Sequence, residues 1–327
     1  MTSFIFVVSP ENLRICLEKG ICGAPRIPKP LPEARGLADI SGIRPGSNIL
    51  FYEIGTKAIY GIYEAKTYPF MDETPIWSSL DKVYPYRILI QSTAHTFSNP
   101  IYLSDLFDLR DKNALWSWLG IVKRSVQIFT DSECSEFRKL LFRNNPFGPS
   151  GRGISDPYAP LDQKPLPINL TSDKKGRIIT SGAPEGHLTA WLMGKLARRE
   201  LKDLFGEYTD YINFLPTSYG KEMDILLLNE IKDYFYKPAT RLSGCTILEL
   251  KADKCSVKDL SQTLKYEDWL IKKKCEGDSE MVHSVIVAHR FDNKVIDYVT
   301  KKQEIEGHSP RLINYRAYDN NVTLTPI

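Results

Sequence analysis

A stretch rich in proline and glycine lies near the middle of this chain of 327 residues. Proline fixes φ and lacks a backbone donor, so its dense recurrence between Asn144 and Arg177 opposes helix and strand. A stretch of this length without regular structure is typical of a linker or a functional arm. The sequence therefore predicts two domains, over 1–143 and 181–327, joined by a linker over 144–180. The residues concerned are Pro146, Gly148, Pro149, Gly151, Gly153, Pro157, Pro160, Pro165 and Pro167.

The composition is that of a folded protein without a membrane anchor. Hydrophobic residues make up 42% of the sequence and charged residues 25%, as is usual for globular proteins. No segment approaches the roughly 18 apolar residues of a membrane span. The first residues also lack the basic start and the cleavage site of a signal peptide. The six cysteines show no C-x-x-C spacing, which disfavours zinc and favours reduced thiols. We expect a cytoplasmic protein.

Basic residues are concentrated locally, although the net charge is only +3. Three runs, at 174–177, 198–199 and 272–274, lie in the second half and could contact phosphates if they cluster near a site. Gly151-Arg-Gly153 could also touch a nucleic-acid backbone, although a plain tether is the commoner role of such a segment.

The first 143 residues carry both strand and helix signals. Ser9 followed by proline predicts the start of a helix, and Gly20 its end. Thr130-Asp-Ser-Glu133 is a capping box for a later helix that ends near Arg143. Together with the strands, these helices suggest a small barrel, in which Trp116 and Trp118 would be packing residues. Runs of branched and aromatic residues predict strands over 4–8, 49–54, 58–65 and 86–90.

Two apolar strands of the second half carry acidic residues. Asp224 precedes Ile225-Leu-Leu-Leu228, and Ile247-Leu248 leads into Glu249-Leu-Lys251. Because side chains alternate along a strand, Glu249 and Lys251 share one face. If the strands pair, Asp224 and Glu249 meet, and two carboxylates would hold Mg²⁺, with Mn²⁺ as a substitute. The lysine could orient or deprotonate the attacking water. A Glu-x-Lys match alone is more often a solvated ion pair.

Helices are predicted on both sides of these strands. Upstream, Glu185 lies in the first turn of an amphipathic helix that runs to about Leu196. Downstream, Ser256 is a plausible N-cap for a helix on which Gln262 and Tyr266 lie four residues apart, on one face.

This order of elements resembles the PD-(D/E)XK nuclease superfamily, including its NucS-like and RecB-like members, over roughly 181–318. The resemblance implies that Asp224 and Glu249 bind the divalent ion and that Lys251 serves the attacking water. Glu185 would be a further acidic residue near the metal. Gln262 would support the site or touch the phosphate backbone. The proline of the superfamily's name is missing before the aspartate.

Five short strings occur in order through the first half: Phe6-Val-Val-Ser-Pro-Glu-Asn12, Gly46-Ser-Asn-Ile-Leu-Phe-Tyr52, Gly61-Ile-Tyr-Glu64, Pro75-Ile-Trp77 and Tyr84-Pro-Tyr-Arg87. Together they resemble an EVE domain, a PUA-like barrel related to YTH readers, over nearly all of 1–143. Such domains hold a modified base, flipped from its strand, in a pocket edged by aromatic side chains.

The resemblance implies particular residues for this pocket. Trp77 matches a pocket wall, although a core tryptophan is an equally common role. Ser9 and Asn12 match the edge that hydrogen-bonds the base. Cys22 stands where related domains carry a tryptophan after the first helix. Either the pocket is altered or lost, or another aromatic completes it, the candidates being Tyr63, Tyr68 and Phe70.

The sequence thus predicts a two-domain α+β or α/β protein, with a PUA-like (EVE) β-barrel first and a restriction-endonuclease-like mixed sheet flanked by helices second. This is the layout of a modification-dependent restriction endonuclease. The first domain would flip 5-methyl- or 5-hydroxymethylcytosine out of double-stranded DNA, and the second would hydrolyse nearby phosphodiester bonds with Mg²⁺. A double-strand break would need a homodimer or two bound copies. The alternatives are a structure- or lesion-specific DNA repair nuclease and a non-catalytic reader, and RNA is a further substrate to consider.

Overall fold

The structure is a computed structural model that describes residues 2–77, 83–111, 124–149, 153–233 and 239–327. The chain divides into two compact units, Met1–Pro167 and Ile168–Ile327. Each unit combines a mixed sheet with helices, so the coarse expectation of a two-part α+β protein is met. The finer assignments, an EVE-type barrel and a PD-(D/E)XK sheet, stay predictions. Trp116, Trp118 and Arg152 lie outside the described residues.

The elements of the first unit are β1 Ser3–Val8, α1 Pro10–Lys19, β2 Ile21–Ala24, α2 Pro30–Ser41, β3 Asn48–Glu53, β4 Ala58–Ala65, β5 Phe70–Met71, β6 Tyr86–Tyr102, α3 Leu103–Asp111, β7 Val126–Phe129 and α4 Asp131–Asn144. Its described strands form a seven-stranded sheet in the order β2-β6-β4-β3-β1-β7, with β5 paired to β6. Strands β1 and β3 are parallel, and the other pairs are antiparallel. Helices α3 and α4 pack against β6.

Local signals account for both ends of α1 and for the start of α4. The Ser9 hydroxyl accepts the backbone N–H of Asn12 at 3.2 Å, and Gly20 ends the helix with φ +62°. A side chain at Gly20 would also collide with Ile154, because a Cβ there would lie 2.8 Å from its Cδ1. The capping box of Thr130 and Glu133 is confirmed, with both of its hydrogen bonds present.

Strand β6 is far longer than the run over 86–90 that the sequence predicts. Its first residues pair with β2, as Leu89 does with Ile21, and its later residues pair with β4 as far as Tyr102 opposite Ala58. Exposed polar residues follow from Gln91 onward, so the apolar pattern ends while the pairing continues. Partners distant in sequence thus extend the strand beyond its local signal.

The segment expected to be a linker differs in the structure from a free tether. The N–H groups of Asp156 and Tyr158 donate to the carbonyl oxygens of Glu18 and Lys19, at 3.0 and 2.7 Å. Further along, Lys164 exchanges two backbone hydrogen bonds with Met71. After Pro167 the chain belongs to the second unit, where the N–H of Ala317 donates to Gly176. Backbone groups here find partners without helix or strand.

The elements of the second unit are α5 Pro184–Ala197, α6 Lys202–Phe205, β8 Asp210–Pro216, β9 Glu222–Asp233, β10 Ala239–Cys255, α7 Val257–Lys274, β11 Val282–Phe291, α8 Asn293–Glu306, β12 Arg311–Tyr318 and β13 Asn321–Pro326. Its described strands form a six-stranded sheet in the order β13-β12-β11-β10-β9-β8. Strands β10, β11 and β12 are parallel, so each connection must cross over, and α7 and α8 make these crossings. Both helices close a core around Leu260, Ile286 and Val295.

Candidate functional site

The antiparallel pair β9–β10 brings two acidic residues together in the second unit. The last paired residues are Ile225 and Leu248, which places Asp224 across from Glu249. The backbone N–H of Leu250 donates to Asp224 Oδ2 at 2.8 Å. The Asp224 carboxylate therefore lies beside the backbone of β10 next to Glu249.

Among the described residues, one oxygen of Glu249 accepts two hydrogen bonds and the other accepts none. Lys251 Nζ donates to Glu249 Oε1 at 2.8 Å, and Gln262 Nε2 donates to the same oxygen at 3.2 Å. Glu249 is 1% exposed, and its Oε2 has no hydrogen-bond partner among the residues that the structure describes. A buried carboxylate oxygen without a donor is costly, so this oxygen is suited to a cation.

A second residue of helix α7, Tyr266, fixes the position of the Gln262 side chain. Gln262 Nε2 also donates to the Tyr266 hydroxyl at 2.7 Å, and this hydroxyl donates to the backbone oxygen of Glu222 at 2.9 Å. Residues four apart on a helix lie on one face, which is why these two side chains meet. A chain of hydrogen bonds thus runs from β9 through α7 to Glu249.

Glu185, at the start of α5, completes the cluster (Asp224, Glu249, Lys251, Gln262 and Glu185). Its Oε1 accepts the backbone N–H of Ala252 at 3.2 Å, one residue beyond Lys251 on β10. The structure thus brings together the five residues that the sequence singled out for catalysis, and their catalytic roles remain predictions.

Burial and like charge act on the acids of the cluster. Burial and the charge of Glu249 raise the pKa of Asp224 well above its usual range, and burial raises the pKa of Glu249. Burial lowers the pKa of Lys251, but the carboxylates of Glu249 and Asp224 outweigh this effect and raise it. The cluster is therefore short of positive charge, which a bound cation would supply.

The donor set suits Mg²⁺ better than zinc. Within the described ranges, His, Cys, Asp and Glu side chains form no group of three or more that could hold a metal ion. Mg²⁺ needs no such group, because it binds through one or two carboxylates together with water and substrate phosphate. The pair Asp224 and Glu249, with the unpartnered Oε2, fits that requirement.

A second constellation, in the first unit, surrounds Trp77. The half-buried Trp77 ring lies 5.5 Å from the ring of Tyr84, tilted by 51°, and 5.2 Å from the Arg87 guanidinium carbon. It leans over β2, since a Cβ at Gly23 would lie 3.1 Å from Trp77 Cη2. The neighbouring Cys22 is fully buried. Trp77 and Tyr84 form an aromatic pair at this position.

The two residues predicted to hydrogen-bond a base, Asn12 and Ser9, have different partners in the structure. Asn12 is buried and hydrogen-bonds the Tyr84 side chain, so it lies beside the aromatic pair. Ser9 caps α1 with its hydroxyl oxygen. Of the aromatic residues considered to replace the missing tryptophan, Tyr63 and Phe70 are buried and Tyr68 is 39% exposed. Tyr84 lies against Trp77 instead. The sequence signal that could have identified Tyr84 is its place in the string Tyr84-Pro-Tyr-Arg87.

A buried ion pair holds Arg87 beneath Trp77. Arg87 Nη1 lies 3.2 Å from Asp72 Oδ2, and the two side chains are 2% and 3% exposed. The Tyr158 hydroxyl donates to the same Asp72 oxygen at 2.6 Å. Arg87 also donates to the carbonyl oxygens of Tyr84 and Thr74. Tyr158 was not predicted, because it lies in the segment read as a linker.

Comparison with known proteins gives no family assignment. No family profile matches the chain, and no curated protein matches it. Some solved structures are similar to part of this chain. A hypothetical protein from Leishmania major is 14% identical, over 44% of this chain and 97% of that one, with a TM-score of 0.34. A structural-genomics protein from Agrobacterium tumefaciens is 17% identical, over 50% and 100%, with a TM-score of 0.31.

A YTH domain from Zygosaccharomyces rouxii, solved with N6-methyladenosine RNA, is 16% identical over 42% of this chain and 84% of that one, with a TM-score of 0.28. At such scores these likenesses support no argument about function. In the part of the chain that the structure describes, no helix is long and apolar enough to cross a membrane.

Proposed function

We propose that this protein is a metal-dependent endonuclease that acts on DNA carrying a modified cytosine. The observation that carries the proposal is the cluster of Asp224, Glu249 and Lys251, with a buried Glu249 oxygen that lacks a donor among the described residues. Two neighbouring carboxylates can hold Mg²⁺, and a nearby lysine can stabilise negative charge on a phosphate, so these groups suit the hydrolysis of a phosphodiester.

Asp224 and Glu249 would hold Mg²⁺, which when bound lowers the pKa of its water and offsets charge on the reacting phosphate. Gln262 and Lys251 keep Glu249 Oε1 occupied, so they fix the orientation of this carboxylate. The raised pKa of Lys251 keeps its ammonium charged, which favours stabilising phosphate charge over removing a proton from water.

Substrate choice would belong to the aromatic pair of the first unit. Trp77 and Tyr84 offer π-faces to an extruded base, and stacking on one aromatic side chain contributes about 1–3 kcal/mol. Asn12 lies beside them and offers hydrogen bonds to a base edge. Such contacts offset the few kcal/mol that base flipping costs.

The test is cleavage of plasmids of one sequence that carry cytosine, 5-methylcytosine or 5-hydroxymethylcytosine. We expect the modified plasmids to be cut in Mg²⁺ or Mn²⁺ and not in EDTA. Asp224→Asn should abolish cutting and weaken Mg²⁺ binding in calorimetry. The matched control is Asp268→Asn, at an exposed aspartate of α7 paired with Lys272, which should cut like the wild type.

Each alternative has its own outcome. Equal cutting of all plasmids would contradict selection of modified bases, and a preference for branched or mismatched substrates would favour a repair nuclease. No cutting of any substrate, together with tight binding of modified DNA, would leave a non-catalytic reader. Trp77→Ala should reduce the preference for modified DNA while the residual cutting still requires metal.

A further inference from the structure

A cavity of about 600 Å³ lies in the first unit between α1, β4, β6 and residues 153–155. Its volume is within the roughly 300–1,000 Å³ of sites that bind small organic ligands. We propose that this cavity binds a nucleotide, with the base among the aromatic rings and the phosphate at Arg14. The lining residues are Pro10, Leu13, Arg14, Leu17, Glu18, Tyr60, Tyr63, Phe97, Ser98, Gly153 and Ser155.

Three aromatic side chains suit the cavity to a planar ring. Tyr60 is half-buried, and Tyr63 and Phe97 are each 3% exposed. Neighbours hold the two buried rings edge-on: Phe51 lies 5.7 Å from Tyr63, and Phe142 lies 4.9 Å from Phe97. These two rings are therefore fixed before a ligand arrives, so binding loses little side-chain conformational entropy. Any nucleobase offers a π-face to them.

The Arg14 guanidinium, at the edge of the cavity, supplies the contact for a phosphate. The Arg14 side chain is 68% exposed and lies 3.6 Å from Glu18 Oε2, and Glu18 is itself 39% exposed. An exposed pair of this kind holds its partners weakly, so the guanidinium can bind a phosphate with two parallel hydrogen bonds. Glu18 would repel further negative charge, so a monophosphate should bind more tightly than a triphosphate.

This cavity is distinct from the aromatic pair at Trp77. Asn12 and Cys16 hydrogen-bond Tyr84 and Trp77 from one side of α1, and neither of them lines the cavity. Leu13 and Leu17, on another side of the helix, face the cavity. Ser98 and Ser155 add two polar residues to the lining. Neither the carboxylate cluster nor cleavage takes part in binding at this cavity.

Calorimetry on the full chain tests the proposal with nucleoside 5′-monophosphates, the matching nucleosides and triphosphates, and a 5′-phosphorylated oligonucleotide. We expect monophosphates to bind about tenfold or more tightly than nucleosides. Tyr60→Ala should weaken binding by about 5- to 150-fold, the contribution of one stacking ring, and Tyr60→Phe should restore it. Arg14→Gln should remove the preference for a phosphate. Its matched control is Arg143→Gln, at an exposed arginine paired with Asp105, which should change nothing.

Binding of the oligonucleotide in competition with a monophosphate would identify a strand end as the source, and binding of monophosphates alone would identify a free nucleotide. Both outcomes support the proposal. No binding of any nucleotide at millimolar concentration would overturn it. So would a loss of binding in Trp77→Ala with none in Tyr60→Ala, because the ligand would then occupy the aromatic pair. Melting temperatures of all variants verify that they fold.

Discussion

Arg87 shows how one residue links distant parts of the first unit. Its guanidinium lies between the rings of Trp77 and Tyr158, at 5.2 and 5.8 Å, and pairs with the buried Asp72. Burial lowers the pKa of Arg87, and the nearby Asp72 carboxylate acts in the opposite sense. The orientation of Trp77 therefore depends on an ion pair that only the folded chain assembles.

Asp72→Asn should destabilise the protein by about 3–5 kcal/mol, because it leaves the Arg87 charge buried without a counter-charge. The matched control is Glu73→Gln, which breaks an exposed pair with Arg26 and should cost less than about 1 kcal/mol. Urea unfolding measures both. Equal losses would contradict the role given to burial.

Glu267 in α7 should make the stability of the second unit depend on pH. Burial raises its pKa, although the hydrogen bond from Ser284 and the charges of His308 and Lys302 lower it, and Glu306 raises it again. The folded chain thus holds this proton more tightly than the unfolded chain, whose glutamate pKa is about 4.3. The stabilisation is complete below that pH and is lost as pH rises through the folded-state pKa.

Glu267→Gln should therefore gain stability relative to the wild type as the pH rises above the usual glutamate pKa, because an amide never ionises. Urea unfolding at several pH values measures the difference, with Glu276→Gln, an exposed site in the same unit, as the control. A difference that stays constant with pH would contradict the expectation.

At the scale of elements, helix starts follow from local side-chain chemistry. Thr130→Ala should cost about 1–2 kcal/mol, because the α4 cap loses the hydrogen bond that the N–H of Glu133 donates to the Thr130 hydroxyl oxygen. Ser135→Ala, inside the same helix, should be neutral or slightly stabilising since alanine is the better helix former. Thermal or urea unfolding of both variants measures the contrast, and equal losses would count against the cap.

An element was predictable from the sequence where its pattern lies within one segment of the chain. It was not predictable where it depends on pairing with distant segments. The Thr130 box and the pair Gln262–Tyr266 depend on spacings within one helix, so the sequence shows them directly. The length of β6 depends on β2 and β4, and its polar later half carries no strand signal. The contact of Tyr84 with Trp77 was likewise not predicted from the chain.

At the scale of the molecule, the boundary between the two compact units lies at Pro167. A chain ending at Pro167 should unfold cooperatively, because it keeps the Tyr158 bond to Asp72 and the backbone pairs of 156–164. A chain ending at Arg143 should be less stable by at least about 2 kcal/mol, since Asp72 and Arg87 lose a buried partner. Urea unfolding of the two fragments tests this, and equal stability would contradict a structural role for the segment.

The sequence alone determined the features that repeat over a few residues: the caps of α1 and α4, the strands of the apolar runs, and the alternation that places Glu249 and Lys251 on one face. The pairing of β9 with β10 needed only one further assumption, that two such strands are neighbours. Tertiary structure alone decided that Glu249 keeps an oxygen without a donor among the described residues and that Tyr84 lies beside Trp77. It also decided that residues 156–164 of the proline-rich segment hydrogen-bond within the first unit. These facts depend on contacts between residues far apart in the chain, and local spacing contains no information about which distant groups burial will bring together.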